Sequence, residues 1–211
     1  NAIANEINLS IQKYNKCNIA LAGGSTPLKT YNLLKDMYLD WKKVNFFLGD
    51  ERFVPSNDIA SNALMISQNL LKNSLASQAS FHPIETDNIS SPIASASLYS
   101  EYIDNFFVNQ SHSFDLVLLG LGSDGHTASL FPYSPSLNVK EVSATTSIGN
   151  GIDRITLTAN LLSSARNVFF LVSGSDKKTA LKRLLSSDED VNRTPARLVQ
   201  TDSVIHIFTD K

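Results

Sequence analysis

Apolar positions along this chain fall into two alternating rhythms: short unbroken runs, and longer stretches with a helical repeat. Ile3, Ile7, Ile11 and Tyr14 share one face of a helix over Ala2 to Tyr14. The runs Asn18 to Ala22, Val44 to Leu48, Leu116 to Leu119, Asn167 to Val172 and Val204 to Phe208 read as strands, with a short one at Phe81 to Ile84. Val139 to Ser147 and Ile155 to Thr158 join them through alternating or β-branched character. Between the strands, helical spacing links Leu28, Tyr31, Leu34 and Tyr38, then Ile59, Ala63, Ile66 and Leu70. It links Ala94, Leu98, Tyr102 and Phe106 within a helix over Ile93 to Val108, and finally Leu181, Leu184 and Leu185. Strands alternating with helices predict βαβ units and an α/β fold, with a mostly parallel sheet covered on both faces.

Bulk properties narrow the function classes. At 211 residues the chain suits one domain, and 42% hydrophobic against 18% charged residues supports a real core. A net charge of -2 offers no surplus to neutralise a nucleic-acid backbone. No run is long enough to span a bilayer, and no charged-then-apolar leader opens the sequence. Cys17 is the single cysteine, which rules out an internal disulfide and fits a reducing, cytoplasmic setting. The histidines His82, His112, His126 and His206 show no metal-ligand spacing, so no metal is expected.

The candidate chemistry lies in four loops that each follow a strand, where open α/β sheets bind ligands. Gly23, Gly24, Ser25 and Thr26 form an anion-type turn, with Pro27 opening the next helix. The loop is neither a Walker loop nor a dinucleotide fingerprint, and a plain helix cap would use the same residues. Gly49, Asp50, Glu51 and Arg52 follow the second strand; Arg52 can clamp a phosphate or carboxylate, or belong to a solvated charge run. The glycine-rich loop after Leu119 delivers Asp124, His126 and Thr127, a credible acid–base pair or a helix-capping turn. Gly174 to Lys177 closes the set, and Lys177 near a helix start makes best sense beside an anion. Arg154 reads as a second anion contact or as a strand-end salt bridge. His82 and His112 read as loop residues, His206 as part of the last strand, and Trp41 as core.

Six segments carry a resemblance: LAGGSTP (Leu21 to Pro27), FFLGDERFVP (Phe46 to Pro55), Ser61-Asn62, FDLVLLGLGSDGHTASLFP (Phe114 to Pro132), DRITLT (Asp153 to Thr158) and VSGSDK (Val172 to Lys177). In this order they resemble the 6-phosphogluconolactonase family, within the superfamily that also holds glucosamine-6-phosphate deaminase and isomerase. The resemblance implies a three-layer αβα, Rossmann-like sheet over residues 1–211. It implies hydrolysis of a sugar-phosphate lactone in the pentose phosphate pathway, with no metal and no organic cofactor. Carried onto these residues, it implies a phosphate held by the GGST loop and Lys177, with Arg52 either a further phosphate contact or the cation that meets the charge developing on the carbonyl oxygen. His126 would be the base that activates water, with Asp124 and Asp50 in the same pocket. In some lineages the lactonase is fused to glucose-6-phosphate dehydrogenase, so this chain is expected to be a whole domain or part of a longer polypeptide.

The chain departs from the family pattern at Ser123, where many relatives have proline, and at Gly149-Asn150-Gly151, which stands where a proline pair often precedes Arg154. Two rival readings share parts of this pattern. An aminosugar-phosphate deaminase would carry a glutamate in the run after the histidine, where Phe131 stands within Ala128 to Pro132. A sugar-phosphate sensor would keep the GGST loop and Lys177 and add a basic helix-turn-helix, which nothing here resembles.

Overall fold

In the computed structural model, residues 2–108 and 113–210 are described; His112 lies outside them. The elements run α1 (Ala2–Tyr14), β1 (Cys17–Leu21), α2 (Leu28–Leu34), β2 (Val44–Leu48), β3 (Asp50–Arg52), α3 (Asn62–Ile66), β4 (Ser80–His82) and α4 (Pro92–Phe106). They continue with β5 (Leu116–Gly120), β6 (Ala144–Gly149), β7 (Ile152–Leu157), α5 (Ala159–Ser163), β8 (Asn167–Val172), α6 (Lys178–Leu185) and β9 (Ile205–Thr209). Six strands form one sheet in the order β4-β2-β1-β5-β8-β9, and every pairing within it is parallel. All five residues of β1 are buried, odd and even positions alike, so both faces of the sheet are covered.

The chain leaves β1 toward β2 on one side and returns to β5 on the other. The strand order therefore reverses between β1 and β5, and the crevice beyond their carboxyl ends is the expected ligand position. Tyr31 closes the floor near that point: its buried hydroxyl donates to the Ala22 carbonyl at 2.8 Å. Tyr99 does the same for β2, accepting from the Leu48 N–H and donating to its carbonyl.

Two of the expected strands, within Val139 to Ser147 and Ile155 to Thr158, leave the main sheet for a second one, and a third strand that the apolar pattern did not show joins them. β3, β7 and β6 form an antiparallel ribbon beside the main sheet. Asp50 to Arg52, expected as part of the loop after the second strand, are a strand because β7 pairs with them and their side chains find partners. Gly149-Asn150-Gly151 is the hairpin between β6 and β7, and Asn150 and Gly151 both take positive φ (54° and 72°). An Asn-Gly pair in that conformation matches the twist of the flanking strands and sets the register. That register fixes Arg154 opposite Arg52, the placement that the missing prolines had left open.

Several expected faces turn the other way. Tyr38 and Ile59 are almost fully exposed, and α4 buries Ser95, Ala96, Tyr99, Ser100 and Ile103 rather than the row of Leu98 and Tyr102. Polar bonds drive that rotation: Ser95 Oγ donates to the Glu85 carbonyl at 2.5 Å, and the Ser143 N–H donates to Ser100 Oγ. The strand expected from Val139 begins only at Ala144.

His82 belongs to edge strand β4 rather than to a loop. It stacks on Phe47 at 4.5 Å and lies 3.1 Å from Asn45 Oδ1 and 2.6 Å from the Tyr102 hydroxyl. Burial pushes its imidazole below the ordinary value. The unfolded chain thus binds the proton more tightly, so the stabilising contribution is present above the unfolded pKa and is lost as pH falls from there through the lower folded pKa. Melting temperature should drop as pH goes from about 7 to about 5, and His82→Gln should shrink that drop. An identical drop in the variant would remove His82 as its source.

Candidate active site

The four loops meet in one cleft of about 200 Å³. Its walls include Gly23, Gly24, Ser25 and Thr26 after β1, Asp50 and Arg52 of β3, His126 after β5, Arg154 of β7 and Lys177 after β8. Asp124 stands just behind His126. A larger cleft of about 940 Å³ lies at the start of β8, but there Arg166 is already engaged by Asp115 at 3.3 Å and by the Tyr14 hydroxyl at 2.7 Å.

Asp124 and His126 form a tight pair. Asp124 Oδ1 sits 2.6 Å from His126 Nδ1 and accepts the His126 backbone N–H at 3.0 Å. Partial burial opposes ionisation of Asp124, but the bonds from the His126 ring and backbone outweigh it and hold the carboxyl below its usual range. An ionised Asp124 can only accept, so the His126 proton sits on Nδ1 and the basic lone pair on Nε2. The loop closes through the Gly122 N–H, which donates to the His126 carbonyl at 2.8 Å. A Cβ on Gly122 would overlap both the His126 ring and the Asp124 carboxylate, so this close approach requires glycine. Thr127 Oγ1 ties the far side of the loop to the Gly120 carbonyl at 2.8 Å. Arg183 of α6 secures the near side, donating from Nη2 to the Asp124 carbonyl at 2.9 Å.

The cationic side is built on the ribbon. Arg52 and Arg154 are cross-strand partners, an arrangement that costs stability when both are charged. Burial first, and Arg52 second, pull the Arg154 guanidinium below its ordinary value, against the opposing pull of Asp50 and Glu51. The Nε atoms of both arginines are buried without a hydrogen-bond partner. An unpaired buried donor costs about 1–3 kcal/mol, a cost that water or an anion at the cleft wall would relieve. Lys177 adds a third cation, 3.2 Å from Asp176.

Behind this wall, two buried carboxylates act as scaffold. Glu51 accepts the backbone N–H groups of Asn62 (2.6 Å) and Ala63 (2.7 Å) and the Ser61 hydroxyl, joining β3 to the start of α3. Burial raises its pKa, and those backbone bonds work against the rise. Asp50 uses both oxygens: Oδ2 accepts from Ser129 Oγ at 2.5 Å, and Oδ1 from Asn62 Nδ2 at 3.2 Å. Arg154 Nη1 is 3.9 Å from Oδ2. Asp50 therefore lines the cleft, as expected, with its carboxylate committed to holding neighbours. Asn62 also accepts from Arg52 Nη1 at 2.7 Å and packs on Gly23 so closely that a Cβ there would overlap it.

All the expected site residues thus gather at one place. Sequence reasoning missed Asn62, Glu51, Ser129, Arg183 and Phe131 as supports. Ser61-Asn62 and Phe131 lay inside recognised segments, which was the available signal. Arg183 had none, because its partner is a backbone carbonyl 59 residues away. Among the described residues, no group of three or more His, Cys, Asp and Glu side chains is placed to hold a metal ion.

Comparison with known proteins agrees with this architecture. The family described as "Glucosamine-6-phosphate isomerases/6-phosphogluconolactonase" matches residues 1–207. A 6-phosphogluconolactonase of Synechocystis is 38% identical over 201 residues, covering 94% of this chain and 83% of the relative. The crystal structure of a 6-phosphogluconolactonase from Shewanella baltica superposes with a TM-score of 0.88 at 31% identity, over 99% of this chain and 89% of the other. The 6-phosphogluconolactonase of Trypanosoma brucei gives 0.84 at 29% identity, over 99% and 89%. The relatives share this chain's wound parallel sheet, and the family model spans nearly all of its length: the chain belongs to the glucosamine-6-phosphate isomerase/6-phosphogluconolactonase family.

Proposed function

We propose that this chain hydrolyses 6-phospho-D-glucono-1,5-lactone to 6-phosphogluconate, the second step of the oxidative pentose phosphate pathway, with His126 as general base. The observation that carries the reading is the Asp124–His126 pair set against the same small cleft as Arg52, Arg154 and Lys177. Water attacks the lactone carbonyl carbon as His126 Nε2 takes its proton, while Asp124 holds the Nδ1–H and balances the imidazolium. Negative charge develops on the carbonyl oxygen. Arg154 is the cation suited to meet it, because its guanidinium and the His126 ring flank the same Phe131 ring. Collapse breaks the bond to the ring oxygen, which receives the proton from His126 and becomes the hydroxyl of the product.

The phosphate takes Lys177, Arg52 and the hydroxyls of Ser25 and Thr26, with close backbone approach at Gly23 and Gly24. Remote from the reacting carbon, it supplies binding energy that orients the ring. Phe131 in place of a carboxylate disfavours ring-opening deamination. The same reading makes residues 1–211 one lactonase domain in the cytoplasm, free to be fused to or to associate with glucose-6-phosphate dehydrogenase. No described helix is long and apolar enough to cross a membrane.

The test is a comparison of substrates above the spontaneous background. The phosphorylated lactone should turn over, glucono-1,5-lactone should show a much weaker kcat/KM, and glucosamine 6-phosphate should release no ammonia. Lys177→Ala should raise KM about 10- to 100-fold with a smaller change in kcat, the signature of lost ground-state binding. Equal turnover of both lactones would remove the phosphate site from the reading, and ammonia release would restore the deaminase.

A further inference from the structure

Three groups, one from the loop after β5 and two from the β6–β7 hairpin, converge on the ring of Phe131. The His126 ring packs against it at 4.6 Å between centroids, tilted by 44°. The Arg154 guanidinium lies over it at 5.5 Å. From behind, Gly149 at the end of β6 approaches so closely that a Cβ there would fall on the ring's edge. Neither Phe131 nor Gly149 lines the cleft. Gly149 is not in the left-handed region, so its backbone would accept alanine; only the ring stands in the way. The ring is therefore held on one side by the hairpin and presents its other contacts to the two groups that flank the reacting carbonyl.

We propose that Phe131 is a positioning residue that sets the spacing between His126 and Arg154, and that the β6–β7 hairpin sets Phe131. Charge favours the arrangement, since a guanidinium is attracted to the ring face and an imidazole packs on it at little cost. The Arg154 Nε has no partner of its own, and Asp50 reaches the group only at 3.9 Å, so the ring is a principal restraint on where this cation points. The proposal rests on the reading of His126 as base.

The test is a double-mutant cycle in the whole chain, with kcat for the phosphorylated lactone and melting temperature measured on each variant. Phe131→Leu should lower kcat about tenfold, a geometric loss of the kind a displaced catalytic group produces. Phe131→Tyr, which keeps the ring, should stay within about twofold. Gly149→Ala should also lower kcat about tenfold in the parent chain but less than about twofold in the Phe131→Leu background, where no ring remains to be pushed. Independent fold-changes that simply multiply would overturn the proposal, as would unchanged kcat in Phe131→Leu. Should Gly149→Ala not fold, the contrast between Phe131→Leu and Phe131→Tyr decides, equal kcat values overturning it. His126→Ala run alongside separates the two ideas: loss of turnover there with multiplying effects in the cycle sinks only the role of Phe131, whereas retained turnover in His126→Ala sinks the base itself.

Discussion

Replacing His126 with alanine should lower kcat by about 10²- to 10⁴-fold, the range that a positioned general base contributes. The cleft wall offers no ready substitute: Asp124 stands behind His126 rather than on the wall, and Asp50 has both oxygens engaged. KM should change little, because the proposed phosphate contacts are Lys177, Arg52 and the loop after β1. The lactone hydrolyses by itself, so the assay must subtract that rate at each pH. A residual enzymatic rate near that of the parent would remove His126 from the mechanism. Asp124→Asn is the companion variant. It keeps the size of the side chain but can present an N–H to Nδ1, which would favour the wrong tautomer and remove the balancing charge.

The second large effect is expected from a residue with no chemistry. Gly122→Ala should reduce kcat about 10²-fold, because its methyl group must displace the His126 ring, the Asp124 carboxylate, or both. The alternative is for the loop to move, which would break the Gly122 N–H bond to the His126 carbonyl and strain the carbonyl contact from Arg183. Substrate affinity should survive better than turnover, since the cationic wall stands on other elements. Steady-state kinetics with a bound-anion titration would check this; unchanged kcat would mean that the pair tolerates a shift that the close contact denies.

These two residues illustrate what could be read from the chain and what could not. Asp124 and His126 were visible because a carboxylate and an imidazole two positions apart, on a glycine-rich loop after a buried strand, form a local pattern. The parallel sheet was visible because its strands are short apolar runs. The ribbon was visible only in part: β6 and β7 show as alternating or β-branched runs, but Asp50, Glu51 and Arg52 look like a solvated charge cluster until β7 and the start of α3 are brought to them. Arg154 could be suspected as an anion contact, yet its register opposite Arg52 depends on the Asn150-Gly151 turn. The inward face of α4 was misassigned because serine hydroxyls and Tyr99 are buried through bonds to distant backbone, a preference that hydrophobic spacing does not record. For β3 and for α4 the missing information was a partner far away in the chain.

The facing arginines carry a wider consequence. Two positive groups opposed across a ribbon, each with an unbonded nitrogen, are a poor choice for a protein under pressure only to remain folded. A neutral residue at either position would be the easy route to a hardier molecule and the quick route to an idle one. Lineages that drift toward ruggedness without demand for turnover should lose this pair first, while the apolar sheet beneath it persists.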